Sequence, residues 1–370
     1  MSVASPWARQ TALAMQRLGN EVHVFDFRTD RTLGLYLRRA DQFQIRNIEG
    51  FEVGVAGVHF INTRFGSSLR YVTGAASLRR LARLHRCDVL IALYAGGFAT
   101  LGWLSRVRPF SVCAVGSDIL FCRGVGRMLR RRVLESAAVV FANGRYLAEE
   151  TLRLAPGASV VQTCLGVELE EFVPVGVPER RPRIVCTRGF LPVYNNGYLV
   201  EGLAVNRNWP SDMEVVFTSG GPLLDSVRGA ARRSLPPDRL RSVKFLGGLS
   251  REGMLEALQA SRVFVSLSKS DGTATSLLEA LACGLVPVLS DIPQNREWIG
   301  PGAGGVGLLV PLGRPDALAD ALMEGTLSED VAVRARRDNR RLVETKGDCR
   351  RNTAEMVASL RSCISVRPHS

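Results

Sequence analysis

Short apolar, β-branched runs recur along this chain with a helix-period stretch between each pair, and the whole pattern occurs twice. The first set lies at 22–27, 88–93, 110–115, 139–142 and 160–164. Strands set this far apart do not close hairpins. They run parallel, each returned to the same end of a sheet by the helix that follows it. The pattern stops at 172–182, where three prolines and a charge run interrupt both periods and mark a linker. It restarts at 183–187, 214–218, 243–245, 263–267, 286–289 and 307–310.

With 370 residues, 46% of them apolar, each half has enough material to bury its own core. The predicted fold is therefore α/β: two facing Rossmann-like doubly wound domains, residues 1–175 and 176–347. A last helical stretch, 348–364, is expected to pack back on the first domain. Such sheets bind ligands beyond their carboxyl edges, so the expected site is a cleft between the two. One strand is short or missing. Residues 8–18 read as the first helix and 22–27 as the next strand, leaving only Val3-Ala4 for the strand that belongs near the centre of the first sheet.

A formal charge of +13 points to an anionic partner, and charge alone leaves open a nucleotide diphosphate, a phospholipid surface or nucleic acid. The densest cluster, Arg123, Arg127, Arg130, Arg131 and Arg132, is either a solvated helix face or a contact for anionic lipid or a lipid-diphosphate acceptor. No nucleic-acid motif accompanies it, so nucleic acid is not an expected partner. The eight cysteines stand singly and the four histidines lack ligand spacing, so no metal is expected. No apolar run approaches the roughly 20 residues that span a bilayer. The start, Met-Ser-Val-Ala-Ser-Pro-Trp, lacks the features of a signal peptide, and the expected location is the cytoplasm, with peripheral contact at the inner membrane face left open.

The chemistry concentrates at 263–291, which reads as strand, polar glycine loop, short helix, glycine stop and strand. Ser276 is a good N-cap with Glu279 three residues on, and Gly284 suits the left-handed position after the helix. Free amides at that helix start would suit a diphosphate. Asp271 in the loop and Glu279 on the helix are two carboxylates able to accept paired hydrogen bonds from diols. The plainer alternative makes Glu279 the reciprocating member of a capping box and Asp271 a turn former.

This stretch resembles the acidic-x7-acidic signature of family 4 retaining glycosyltransferases, with Asp271 in the place of the first glutamate. The resemblance extends to Tyr94, Gly96 and Gly116-Ser117-Asp118, and to Leu165-Gly166-Val167-Glu168-Leu169-Glu170-Glu171-Phe172, which is similar to the family's "NGVDLERF" linker entry. It implies the GT-B arrangement of two domains. It also implies transfer of a sugar from a UDP- or GDP-sugar co-substrate, with no other cofactor, to a saccharide or lipid-linked acceptor in surface polysaccharide or lipopolysaccharide synthesis. The residues implied as catalytic are Arg188, which matches the pyrophosphate arginine, with Asp271, Glu279 and Asp118; Asp118 either orients the acceptor hydroxyl or caps the helix that follows it. Donor contacts implied are Gly220, Gly221, Leu246, Gly247, Lys269, Gly272, Thr273, Ser276 and Leu277. Ser5, Trp7 and Tyr94 fall on the acceptor side.

The chain departs from the family's pattern in three places. Pro192-Val193-Tyr194-Asn195-Asn196 stands where a lysine is usual, Ser5-Pro6-Trp7 lacks the usual glycines, and Val115 replaces a frequent histidine. Diphosphate stabilisation then rests on Arg188, helix amides or Lys269. Two other readings share the fold: a sugar-nucleotide epimerase, which forms product without acceptor, and a catalytically inactive sugar-nucleotide-binding partner.

Overall fold

The computed structural model describes residues 6–28, 57–62, 69–175, 182–205 and 209–365. The chain divides into two compact units, Met1–Leu165 with Cys349–Ser370, and Gly166–Asp348. The first unit opens with α1 (Pro6–Arg17), β1 (His23–Arg28), β2 (Gly57–Asn62) and α2 (Leu69–Leu84). Then come β3 (Leu90–Leu93), α3 (Gly97–Ser105), β4 (Phe110–Ala114), α4 (Ser117–Leu120), α5 (Gly124–Glu135), β5 (Val140–Asn143), α6 (Arg145–Leu154) and β6 (Val160–Thr163). β1 pairs with β2, and β3 to β6 pair in chain order, all parallel. β4 and β5 are buried at every position, which is why they read as unbroken apolar runs: helices cover both faces of a parallel sheet.

The second unit runs through β7 (Arg183–Cys186), α7 (Asn196–Val205), β8 (Glu214–Phe217), α8 (Leu224–Ser234), α9 (Pro237–Ser242), β9 (Val243–Phe245) and α10 (Arg251–Gln259). It continues with β10 (Val263–Ser266), α11 (Thr275–Ala282), β11 (Val286–Ser290), α12 (Pro293–Ile299), β12 (Leu308–Val310), α13 (Pro315–Leu327) and α14 (Glu329–Lys346). Its six parallel strands lie in the order β12-β11-β10-β7-β8-β9. The winding reverses between β7 and β10, which pair through Val263 with Ile184 and Phe264 with Val185. At such a reversal the two following loops diverge to opposite faces and leave a crevice at the carboxyl edge. The closing helix, α15 (Cys349–Ser365), belongs to the first unit, where Met356, Val357 and Leu360 join Met15, Cys113 and Phe141 in one apolar cluster.

The division between units falls at Gly166 rather than at 176. The reason is that the first part of the proline-rich stretch is packed, not free. Phe172 is 1% exposed, Arg340 donates to the carbonyls of Leu169 and Phe172, and Val167 bridges to Asp348. The expected short first strand, Val3-Ala4, lies outside the described residues.

Candidate functional site

Arg188 leaves the carboxyl end of β7 and the loop carrying Asp271 leaves that of β10, so the reversal of winding brings them together. One guanidinium nitrogen of Arg188 donates to Asp271 Oδ2 at 2.5 Å and another to Ser276 Oγ at 3.0 Å. The Tyr194 ring lies 4.0 Å from the guanidinium carbon, a cation–π contact, and the arginine side chain is 10% exposed. Asn196, buried at the start of α7, donates to the carbonyls of Arg188 and Gly189 and pins the turn. Tyr194 and Asn196 were not among the sequence candidates; the signal was the run Val193-Tyr194-Asn195-Asn196 itself, in which Asn195 takes a left-handed φ of 54° between a 3₁₀ turn and a helix.

The helix start differs from expectation. α11 begins at Thr275 with Ala274 as its N-cap and no side-chain cap, so Ser276 lies inside the first turn and no capping box forms with Glu279. The Ala274 carbonyl accepts from both Leu277 and Leu278, and the Ser276 hydroxyl is taken by Arg188 instead. Among the described residues the amides of Ala274, Thr275 and Ser276 donate to no acceptor, which leaves the anion-binding start of the helix available. Leu277 offers neither group to a ligand: its amide is used and its side chain is 2% exposed. Gly284 has a φ of 71° and ends the helix as the pattern predicts.

The two acids have different surroundings. Burial raises the Asp271 carboxyl, and the guanidinium of Arg188, the Gly272 amide and Ser268 oppose it. Burial pushes Glu279 up to about 7, against the pull of Arg251, with Glu171 adding to the rise and Arg188 reducing it. A carboxyl with a folded pKa above its unfolded value stabilises most when protonated. That contribution is complete below the unfolded value and is lost as pH rises through about 7. The melting temperature should therefore fall between pH 5.5 and 8.5, and Glu279→Gln should flatten that fall. An equal fall in both proteins would locate the titration elsewhere.

The other donor-side candidates sort by geometry. Gly221, at φ 151°, has no room for a side chain: a Cβ would stand 2.7 Å from the Phe190 carbonyl oxygen. Gly220 faces open space, and its carbonyl accepts from Phe190, locking this turn to the one after Arg188. Leu246 is 52% exposed beside Gly247, whose φ is 75°. Gly272 and Thr273 are buried in the loop, and Lys269 is exposed, with no ion pair among the described residues.

In the first unit Asp118 is bound to backbone amides. It is 4% exposed, and its two oxygens accept from the amides of Ala95, Val115 and Gly116. Its carboxylate thus ties two backbone turns together. Tyr94 sits on the same turn with a φ of 94°, its hydroxyl 3.2 Å from Ser117 Oγ. Ser5 lies outside the described residues, and Trp7 is placed only as a residue of α1. Among the described residues no group of three or more His, Cys, Asp or Glu is set to hold a metal, and no helix is long and apolar enough to cross a membrane.

Residues 237–341 match the family described as glycosyl transferases group 1, a span that holds Asp271, Ser276 and Glu279 but not Arg188. Over 213 residues the chain is 26% identical to the phosphatidyl-myo-inositol mannosyltransferase of Mycobacterium tuberculosis, covering 56% of this chain and 53% of that protein. It is also 26% identical over 258 residues to the GDP-mannose:cellobiosyl-diphosphopolyprenol alpha-mannosyltransferase of Komagataeibacter xylinus, covering 68% and 57%. The alignments thus span little more than half the length of these relatives. Among solved structures, sucrose-phosphate synthase of Thermosynechococcus elongatus superposes with a TM-score of 0.78 at 16% identity, covering 98% of this chain and 93% of that one. HepE of Anabaena, solved with UDP-glucose, gives 0.77 at 14% identity and 98% of both chains. At these identities the likeness establishes the fold, two Rossmann-like α/β domains.

Proposed function

We propose that this chain, residues 237–341 of which match the glycosyl transferases group 1 family, transfers a sugar from a nucleoside-diphosphate donor to a lipid-linked or saccharide acceptor, with retention of the anomeric configuration. The observation that carries this is the arrangement at the winding reversal: a mostly buried guanidinium, three free amides at a helix start and two acids of different character, one on the loop after β10 and one on α11. Amides and guanidinium suit the diphosphate; they would stabilise charge as it leaves, at no cost of reorganisation. Glu279, on the helix beyond the phosphate end, suits a ribose diol as a carboxylate, so donor affinity should rise with pH through about 7 and lose that dependence in Glu279→Gln. No cofactor enters this reading beyond the sugar nucleotide.

The named relatives make GDP-mannose the first donor to test. Thermal melting against a panel of UDP- and GDP-sugars should single out one nucleotide, and the selected donor should yield labelled product only when acceptor is added. Product without acceptor would favour an epimerase, and binding without turnover or slow hydrolysis an inactive partner.

α5 supports an acceptor held at a membrane, as would suit surface polysaccharide synthesis on the cytoplasmic side. It buries only Val133 and Leu134, while Phe121 just ahead of it, with Val125 and Met128, are 53%, 84% and 64% exposed. Arg123, Arg127 and Arg132 are exposed beside them without ion pairs among the described residues. Apolar residues interleaved with arginine on an exposed helix suit an anionic bilayer surface. Neutralising two cations, in Arg127→Gln with Arg132→Gln, should weaken binding to phosphatidylglycerol vesicles by on the order of 30-fold, at about 1 kcal/mol per charge. Co-sedimentation that is unchanged would reduce the cluster to a solvated face.

A further inference from the structure

The Arg188 guanidinium is already occupied. Nη2 donates to Asp271 and Nη1 to Ser276, the guanidinium carbon stands 4.0 Å from the centre of the Tyr194 ring, and Nε is buried with no acceptor among the described residues. A diphosphate at the start of α11 would set a second anion beside Asp271 on this one cation. Like charges at such a distance repel, and a two-point grip on a phosphate needs nitrogens that the carboxylate does not hold.

The ring, by contrast, is held by backbone. Tyr194 ends the 3₁₀ turn Pro192–Tyr194, which the proline starts with its φ fixed, and its amide donates to the Leu191 carbonyl at 3.0 Å. The Val193 carbonyl accepts from the Lys269 amide at 2.8 Å, which ties this turn to the loop that carries Asp271. Asn196 closes the other side through the carbonyls of Arg188 and Gly189. A Cβ on Gly189 would stand 3.7 Å from the ring, so the ring lies back over the residue that follows the arginine. The two kinds of contact differ in what they demand. Hydrogen bonds to Asp271 and Ser276 depend on direction, whereas the negative charge of an aromatic face is spread across it and lets a guanidinium turn in its own plane at little cost.

We propose that Tyr194 is a positioning residue for Arg188, its ring carrying the guanidinium as the arginine passes from Asp271 to the diphosphate of a nucleotide donor. Without the ring, an arginine that has left Asp271 keeps one hydrogen bond, to Ser276, and regains the rotamer freedom of a long side chain. With it, the cation stays beside the first turn of α11 and only the direction of its hydrogen bonds changes. The proposal rests on the reading of this crevice as a diphosphate site and adds to it a residue that acts through the arginine.

Calorimetric binding of GDP and of UDP tests it, the tighter of the two being carried into the variants. Tyr194→Phe keeps the ring and should bind within about twofold of the parent, while Tyr194→Leu, which fills similar space without a π face, should lose on the order of tenfold. That loss should vanish in an Arg188→Ala background, because a residue acting through the arginine has nothing left to hold. Asp271→Asn should tighten binding, since the guanidinium then has no carboxylate to leave. Progressive fluorination of the ring in Tyr194→Phe keeps its shape, so it serves even where Tyr194→Leu folds poorly, and it should weaken binding step by step. Equal affinity in Tyr194→Phe and Tyr194→Leu, the same loss with and without Arg188, a flat fluorine series or weaker binding in Asp271→Asn would each overturn the proposal and leave the diphosphate site standing. A parent protein that binds neither nucleotide would remove the diphosphate reading itself, and this proposal with it.

Discussion

Arg188→Ala should lower sugar transfer by about 10³-fold while leaving a folded protein, the loss expected when a preorganised donor to a leaving oxyanion is removed. Its guanidinium is the one group of the site that bonds both the β10 loop, through Asp271, and the first turn of α11, through Ser276. Removal takes the positive charge from the diphosphate position and also leaves Asp271, a carboxyl already raised by burial, without its cation. Arg188→Lys separates these effects. It keeps the charge near Asp271 but loses the planar fork that reaches two partners at once, and it should retain stability while losing about 10²-fold in turnover. Steady-state kinetics on both variants, with melting curves alongside, decide the matter. Near-normal turnover in Arg188→Ala would remove the arginine from the mechanism and with it the reading of this crevice as a diphosphate site.

Apart from β2 (Gly57–Asn62), which the apolar pattern did not mark, the strands could be read from the sequence to within a residue or two because their signal is local. β10 and β11 are continuous apolar runs bounded by polar loops, and nothing distant changes that pattern. The pairing of side chains across loops is not local. Ser276 has the sequence context of an N-cap, yet a guanidinium 88 residues earlier in the chain takes its hydroxyl and the helix starts two residues sooner. Asp271 reads as one of two carboxylates for diols, while the fold sets one of its oxygens against Arg188. Tyr194 and Asn196 stand where a lysine was looked for, and their roles, stacking on the arginine and pinning its turn, depend on contacts that spacing does not encode. The prolines at 174–182 marked a boundary by composition, but burial of Phe172 moves it upstream, since an aromatic residue 1% exposed has already joined a core.

Asp118→Ala should cost stability rather than chemistry. The carboxylate is the acceptor for the amides of Ala95, Val115 and Gly116, and at 4% exposure no bulk water stands ready to replace it. Each orphaned buried donor costs about 1–3 kcal/mol, so the loss is expected at about 3–5 kcal/mol after partial relaxation, a fall in melting temperature of about 10 °C for a unit of this size. Part of that cost is carried by Tyr94. Its φ of 94° is strained for a residue with a side chain, and it is held there by the amide of Ala95, next in the chain, bonded to Asp118. Asp118→Asn retains one acceptor oxygen and should lose about half as much. A catalytic base would behave in the opposite way, with turnover lost by orders of magnitude in both variants and melting unchanged. Because an anchored turn and a proton acceptor make opposite demands on the same two oxygens, the pair of measurements on these two variants assigns the residue whichever way it falls.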